Sequence, residues 1–199
     1  MFGLLLIPAG AIAAFVSGSL SQVVGRMNWK VTAGVLAALD IVWYLTPVGW
    51  EAPFFPILHL TALALVLLFR DKISEYVHSP LRDRTAVGVA LCSFIAVMAD
   101  HVFGSLVWIF SIGWVVPLKA VRDSIRALVM VWVKLGVSVP ADKIGDIFML
   151  ILPIMTVERI IYTAIATVLG VSIIRVIGWG RISTALNIPT PEPEEPSSE

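Results

Sequence analysis

Apolar residues fall in long unbroken blocks, and charges gather in short stretches between them; nothing alternates at the spacing of two that marks a half-buried strand. The first block, residues 2–24, carries no charge and exceeds the roughly 20 residues needed to cross a hydrocarbon core. It lacks the basic start of a secretory signal, and its apolar stretch continues past any small-residue cleavage point, so a retained span is expected. Gly10, Ala14 and Gly18 recur every four residues, with Ala9, Ala13 and Ser17 alongside. Such a strip lets another helix approach closely, either inside this protein or on a partner.

Arg26, Asn28 and Lys30 form a polar hinge before a second block, 31–50, which gathers Trp43, Tyr44 and Trp50 toward its far end, where aromatic rings suit a membrane interface. Pro53 and Pro56 open a third block that runs to Phe69. The most charged loop follows, with Arg70, Asp71, Lys72, Glu75, Arg82, Asp83 and Arg84. A fourth block, 85–117, is longer than one span requires, and Gly104 is the expected bend or end. The mixed stretch 118–147 fits either an interfacial amphipathic helix or a re-entrant hairpin. A last block, 148–177, is interrupted by Pro153 and by Glu158 and Arg159. The pattern predicts an all-α class, a polytopic membrane helix bundle of about five to seven spans over residues 1–186. An acidic, proline-rich tail, 187–199, is expected to be disordered.

Composition sharpens this picture. With 58% hydrophobic residues, 14% charged residues and a mean hydropathy of +0.93, the chain is too apolar for a soluble domain, and multi-pass residence in the cell membrane is expected. Its 199 residues leave no room for a separate soluble catalytic domain. A formal net charge of zero offers no field to attract nucleic acid, which is not expected as a partner. Cys92 is the only cysteine, which excludes an internal disulfide or a cysteine metal cluster and suits a small buried hydrophobe. If five spans are threaded in order, Arg26, Lys30, the basic residues of 70–84, Arg175 and Arg181 share one side, which is then cytoplasmic. Trp50 and Glu51 fall outside. Lys119 to Arg126 also fall outside unless residues 106–139 dip inward as a hairpin, giving seven crossings.

Charges inside spans cost about 2.5 to 3.5 kcal/mol each on insertion scales, so each asks for a partner or a hydrated cavity. Asp40, the pair Asp100 and His101, and the pair Glu158 and Arg159 are so placed. Together with His59 and Trp50 they form the candidate substrate-binding set, converging on the outer half. The competing reading makes Glu158 or Arg159 part of a structural ion pair with Asp100 or Asp40, and His59 a packing residue. Neighbouring residues on a helix do not face each other, so Asp100 and His101 resemble an acid–base dyad only superficially, and a membrane-embedded enzyme using Asp100, His101 and Glu158 stands third among the readings. The chain has no phosphate-binding glycine loop, HExxH, GxSxG or CxxC; no cofactor, metal site or enzymatic activity is expected.

Three stretches, IPAGAIAAFVSGSLSQVVG (7–25), WKVTAGVLAALDIVWYL (29–45) and PIMTVERIIYTAIATVLGVSIIRVI (153–177), resemble the substrate-binding S component of energy-coupling factor transporters. The resemblance implies capture of a vitamin or other small molecule from outside, and docking onto a transmembrane coupling subunit that carries an ATPase pair. The first block aligns with that family's second helix, so the family's first helix is expected to have no counterpart. Its docking motif lies on that helix and does not transfer to Gly10, Ala14 and Gly18, which stand as a helix-packing or partner-docking strip. A tryptophan-rich pocket of mixed charge suits a heteroaromatic vitamin better than a bare metal ion. The other function expected of such a chain is that of a non-transporting scaffold or assembly subunit of a larger membrane complex.

Overall fold

Where backbone polar groups must be satisfied within a segment, apolar blocks become helices, and the computed structural model is all-α, with no strand among the described residues. It describes residues 2–22, 28–137 and 141–185. Arg26 of the hinge and the tail 187–199 lie outside them. The helices are α1 (Phe2–Ser21), α2 (Asn28–Leu45), α3 (Pro47–Glu51), α4 (Ile57–Phe69), α5 (Lys72–Val77), α6 (Arg82–Ser111), α7 (Leu118–Lys134) and α8 (Asp146–Ala185).

α6 is the axis. Gly88, Val89, Cys92, Ile95, Ala96, Ala99, Val102 and Leu106 are buried along it at spacings of three and four, the stripe a helix needs to bury one face. α1, α2, α4, α5 and α8 all pack against it. The long helices alternate in direction. Gly170, late in α8, faces Val89, early in α6, whereas Arg159 meets Asp100 farther along α6. Ser74 of α5 donates to the Gln22 carbonyl just past α1 at 2.8 Å, and the backbone of Tyr76 and Val77 lies against Gly88, where a side chain would have no room.

Two buried clusters divide the interior. One, at the α5 end, joins Val16, Leu20, Leu36, Val66, Ile73, Ile95 and Met98. The other, at the α7 end, joins Trp43, Phe55, Val102, Leu106, Val121, Ile125 and Phe148.

Two expectations are revised and one choice is resolved. Helix α6 runs through Gly104 without a break and ends at Ser111; the turn is made by Gly113, whose φ of 93° favours glycine. Pro153 does not interrupt the last block either, since it lies inside the continuous α8. Of the two expectations for 118–147, the described residues hold the amphipathic helix, α7, docked through Val121 and Ile125. Among the described residues two helical stretches are long and apolar enough to cross a membrane: Arg82–Ser111 and Asp146–Arg175, 30 residues each. From Ile151 to Arg175, α8 is hardly buried by the rest of the chain and exposes Ile154, Val157, Ile161, Ile165, Val168 and Ile173.

Candidate functional site

The α7 end is assembled around aromatic rings. Trp43, at the end of α2, stacks on Phe55 with ring centroids 4.6 Å apart. Phe148, in the first turn of α8, meets edge-on Trp43 at 5.0 Å, Phe55 at 4.8 Å and Trp108 at 5.4 Å. Local structure fixes these rings. Thr46 caps α3 by accepting from the Gly49 amide at 3.0 Å, and Gly49 lies so close to the Trp43 carbonyl that no side chain would fit. Glu51 then accepts from the Gly145 amide at 2.8 Å, tying α3 to the start of α8, and the Trp132 indole donates to the Leu150 carbonyl at 3.0 Å, tying α7 to α8.

Two buried histidines rest on this aromatic floor. His59 Nε2 and His101 Nδ1 are 3.1 Å apart, with Phe55 5.6 Å and 5.3 Å from their rings. One imidazole must donate and the other accept, so the two facing nitrogens hold one proton between them. His59 Nδ1 and His101 Nε2 are buried without a partner.

Above the floor opens a cavity of about 440 Å³, within the range of small-molecule pockets. α6 supplies Asp100, His101, Gly104, Ser105 and Trp108; α8 supplies Ile147, Phe148, Ile151, Met155 and Arg159; Phe55, Ala9 and Ser124 complete the wall. Both sets follow helical spacing, so each helix turns one continuous face to the space. Gly104, expected as a bend, is instead a bare patch of wall. Arg159 Nη1 lies 3.8 Å from Asp100 Oδ2 in a loose, one-point pair, with side chains 14% and 33% exposed; the guanidinium also stands 5.5 Å from the Tyr162 ring. The space thus offers three aromatic walls, one charge of each sign, an imidazole and two hydroxyls. The same ion pair borders a second, open groove of about 690 Å³ between α1, α6 and α8, lined by Ala13, Ala14, Ser17, Ala96, Ala166 and Gly170 among others.

Of the residues singled out in the sequence, Asp100, His101 and Arg159 line the cavity, and His59 sits directly behind His101. Glu158 does not join them: it lies on the outer side of α8 in a shallow depression with Pro153, Ile154, Val157, Ile161 and Tyr162. Trp50 is 79% exposed. Asp40 is buried on the packing face of α2, and both carboxylate oxygens lack a partner. Gly10 and Gly18 face open space, while α1 packs through Ala9, Val16 and Leu20. Phe55, Trp108, Phe148, Ser105 and Met155 were not anticipated. The signal for three of them was present, because Ser105 and Trp108 share a helical face with Asp100 and Gly104, as Met155 does with Ile151 and Arg159. No group of three or more His, Cys, Asp or Glu side chains suited to a metal ion occurs among the described residues.

No protein-family model matches the chain, and no solved structure matches it. It is similar to a curated protein of Methanocaldococcus jannaschii described only as uncharacterized, with 37% identity over 108 residues covering 54% of this chain and 35% of that protein; the chain thus spans about a third of its relative's length.

Proposed function

We propose that the chain is a multi-pass membrane protein in which α1, α2, α4, α6 and α8 cross the bilayer, and that it captures a small molecule as the S-type subunit of an importer similar to energy-coupling factor transporters. One observation carries the capture reading. Asp100, His101 and Arg159 reach a single cavity from two helices, and that cavity is walled by Phe55, Trp108 and Phe148. Charged groups in a membrane interior are expensive and mark sites of function, while aromatic walls supply affinity for a planar apolar body. A small heteroaromatic molecule with polar edges fits such a space. The coupling subunit and its ATPase pair are expected partners on the strength of the family resemblance.

Protein purified in detergent and analysed by native mass spectrometry should retain such a molecule, and the ligand should raise the melting temperature of the emptied protein. Arg159→Met should weaken binding about tenfold or more, roughly 1.4 kcal/mol. A protein that is always empty, and that no member of a vitamin panel stabilises, would overturn capture.

A second reading is favoured by the groove between α1, α6 and α8. Small residues from three helices line it, the surface on which another transmembrane helix packs closely. On that reading the chain is a scaffold subunit. Pull-down from membranes separates the two: an ATPase pair with a coupling subunit supports import, and an unrelated membrane complex supports assembly.

A further inference from the structure

The helix α7 presents three different surfaces. Val121 and Ile125 are buried, with Leu128, Val129 and Trp132 half-buried beside them. Lys119, Arg122 and Arg126 are exposed, and their spacing of three and four places them on one stripe away from that buried face. From Met130 onward the exposed surface turns apolar: Met130, Val131, Val133, Leu135 and Val137 are all open, with Lys134 the lone charge among them. Against the four cations of the helix stands only Asp123, 3.7 Å from Arg126 in an exposed pair.

The surroundings fix the level at which this helix lies. Trp50, Phe54, Phe110 and Trp114 are 60–79% exposed, and all belong to the end of the bundle that carries α7. The Trp114 indole N–H is already used on the Phe110 carbonyl at 2.6 Å, so its ring is presented outward for its apolar body. Exposed aromatic rings gathered at one end mark the headgroup level of a bilayer.

We infer that α7 is an in-plane anchor on an anionic membrane surface, with Lys119, Arg122 and Arg126 facing lipid phosphates and the Met130–Val137 end sunk among the acyl chains. The inference rests on the multi-pass reading above. Its chemistry is general: an amphipathic helix binds by its immersed apolar area plus attraction to anionic lipid, and each cation near such a surface is worth about fivefold in partition. The opposite side of α7 contributes Ser124 to the cavity wall, so the lipid surface holds one wall of the candidate site in place.

The test uses the full chain in vesicles of mixed phosphatidylcholine and phosphatidylglycerol. Native mass spectrometry should find phosphatidylglycerol enriched among retained lipids about fivefold or more over its bulk share, and the triple variant Lys119→Gln, Arg122→Gln, Arg126→Gln should return to the bulk share. Equal enrichment in the variant, as expected if the stripe instead holds an acidic protein segment, overturns the inference. Nitroxide labels on cysteines placed at Arg122, Met130 and Ile161, in a Cys92→Ser background, separate the two levels of the argument. Oxygen should reach the labels at 130 and 161, and a water-soluble relaxant the label at 122. Labels at 122 and 130 both in water, with 161 in hydrocarbon, sink the anchor and leave the multi-pass reading standing. All three in water sink both.

Discussion

The two buried clusters are built from different materials and border different spaces: the first an open groove lined largely by small residues, the second the cavity walled by rings. At the α5 end the buried hydrophobic side chains are aliphatic, together with Cys92 and Met98; branched chains interdigitate, and Gly88 lets α6 touch the backbone of α5. At the α7 end the buried members include Trp43, Phe55 and Phe148, rigid rings that meet at edges and faces, with two histidines between them and a cavity above. Aliphatic chains fill space by rotamer adjustment, whereas large rings with polar neighbours hold a space open. The first end fixes the arrangement of the helices, and the second makes use of it.

This contrast predicts unequal costs for the same deletion. Ile95 is fully buried in the aliphatic cluster, and Ile95→Ala should cost about 3 to 4 kcal/mol, the transfer loss plus a new void. Ile151 is half-buried and already borders a cavity, so Ile151→Ala should cost about 1 kcal/mol. Thermal unfolding in detergent measures both. Equal losses would mean that the cavity wall is packed as tightly as the core, and the distinction between the two ends would collapse.

Asp40 is the exception within the ordered packing. It lies on the buried stripe of α2 between Leu36 and Trp43, 4% exposed, with neither carboxylate oxygen paired. An ionised side chain there has no counter-charge, and a protonated one has been forced from its ordinary form. Asn has the same shape without either cost, so Asp40→Asn should raise stability by about 1 kcal/mol. Destabilisation, or loss of ligand binding at unchanged stability, would show that the charge is used and would extend the site beyond the cavity.

The all-α class was legible in the blocks themselves, because an apolar run long enough for a helix, with no alternation, has few other ways to satisfy its backbone. So was the meeting of Asp100 and Arg159, since two charges placed within long apolar blocks require company. Aromatic walls were harder to read. Phe55 lies in the turn between α3 and α4, where no periodicity assigns it a face, and Phe148 opens a helix whose start the mixed stretch 118–147 obscured. Trp50 misled for a related reason: its place near the α7 end of the bundle was foreseeable, but α3 turns it outward, and side-chain direction in a five-residue helix follows from packing rather than sequence pattern.

Glu158 and Arg159 supply the smallest expected effect and the finest test of the comparison. They are neighbours on α8, about 100° apart around the helix axis, and the structure sends them to different places: Arg159 to the cavity wall and the pair with Asp100, Glu158 to the outer depression among Ile154, Val157 and Ile161. A carboxylate on that side touches no cavity group, so Glu158→Gln should leave ligand affinity within about twofold, under 0.5 kcal/mol, while Arg159→Met abolishes most of it. Stability should also change little, since the Gln side chain keeps the shape and no cation is left without its partner. Affinity measured by titration on both single variants decides the matter. If Glu158→Gln weakens binding as much as Arg159→Met, the ligand reaches around α8, and the outer depression belongs to the site.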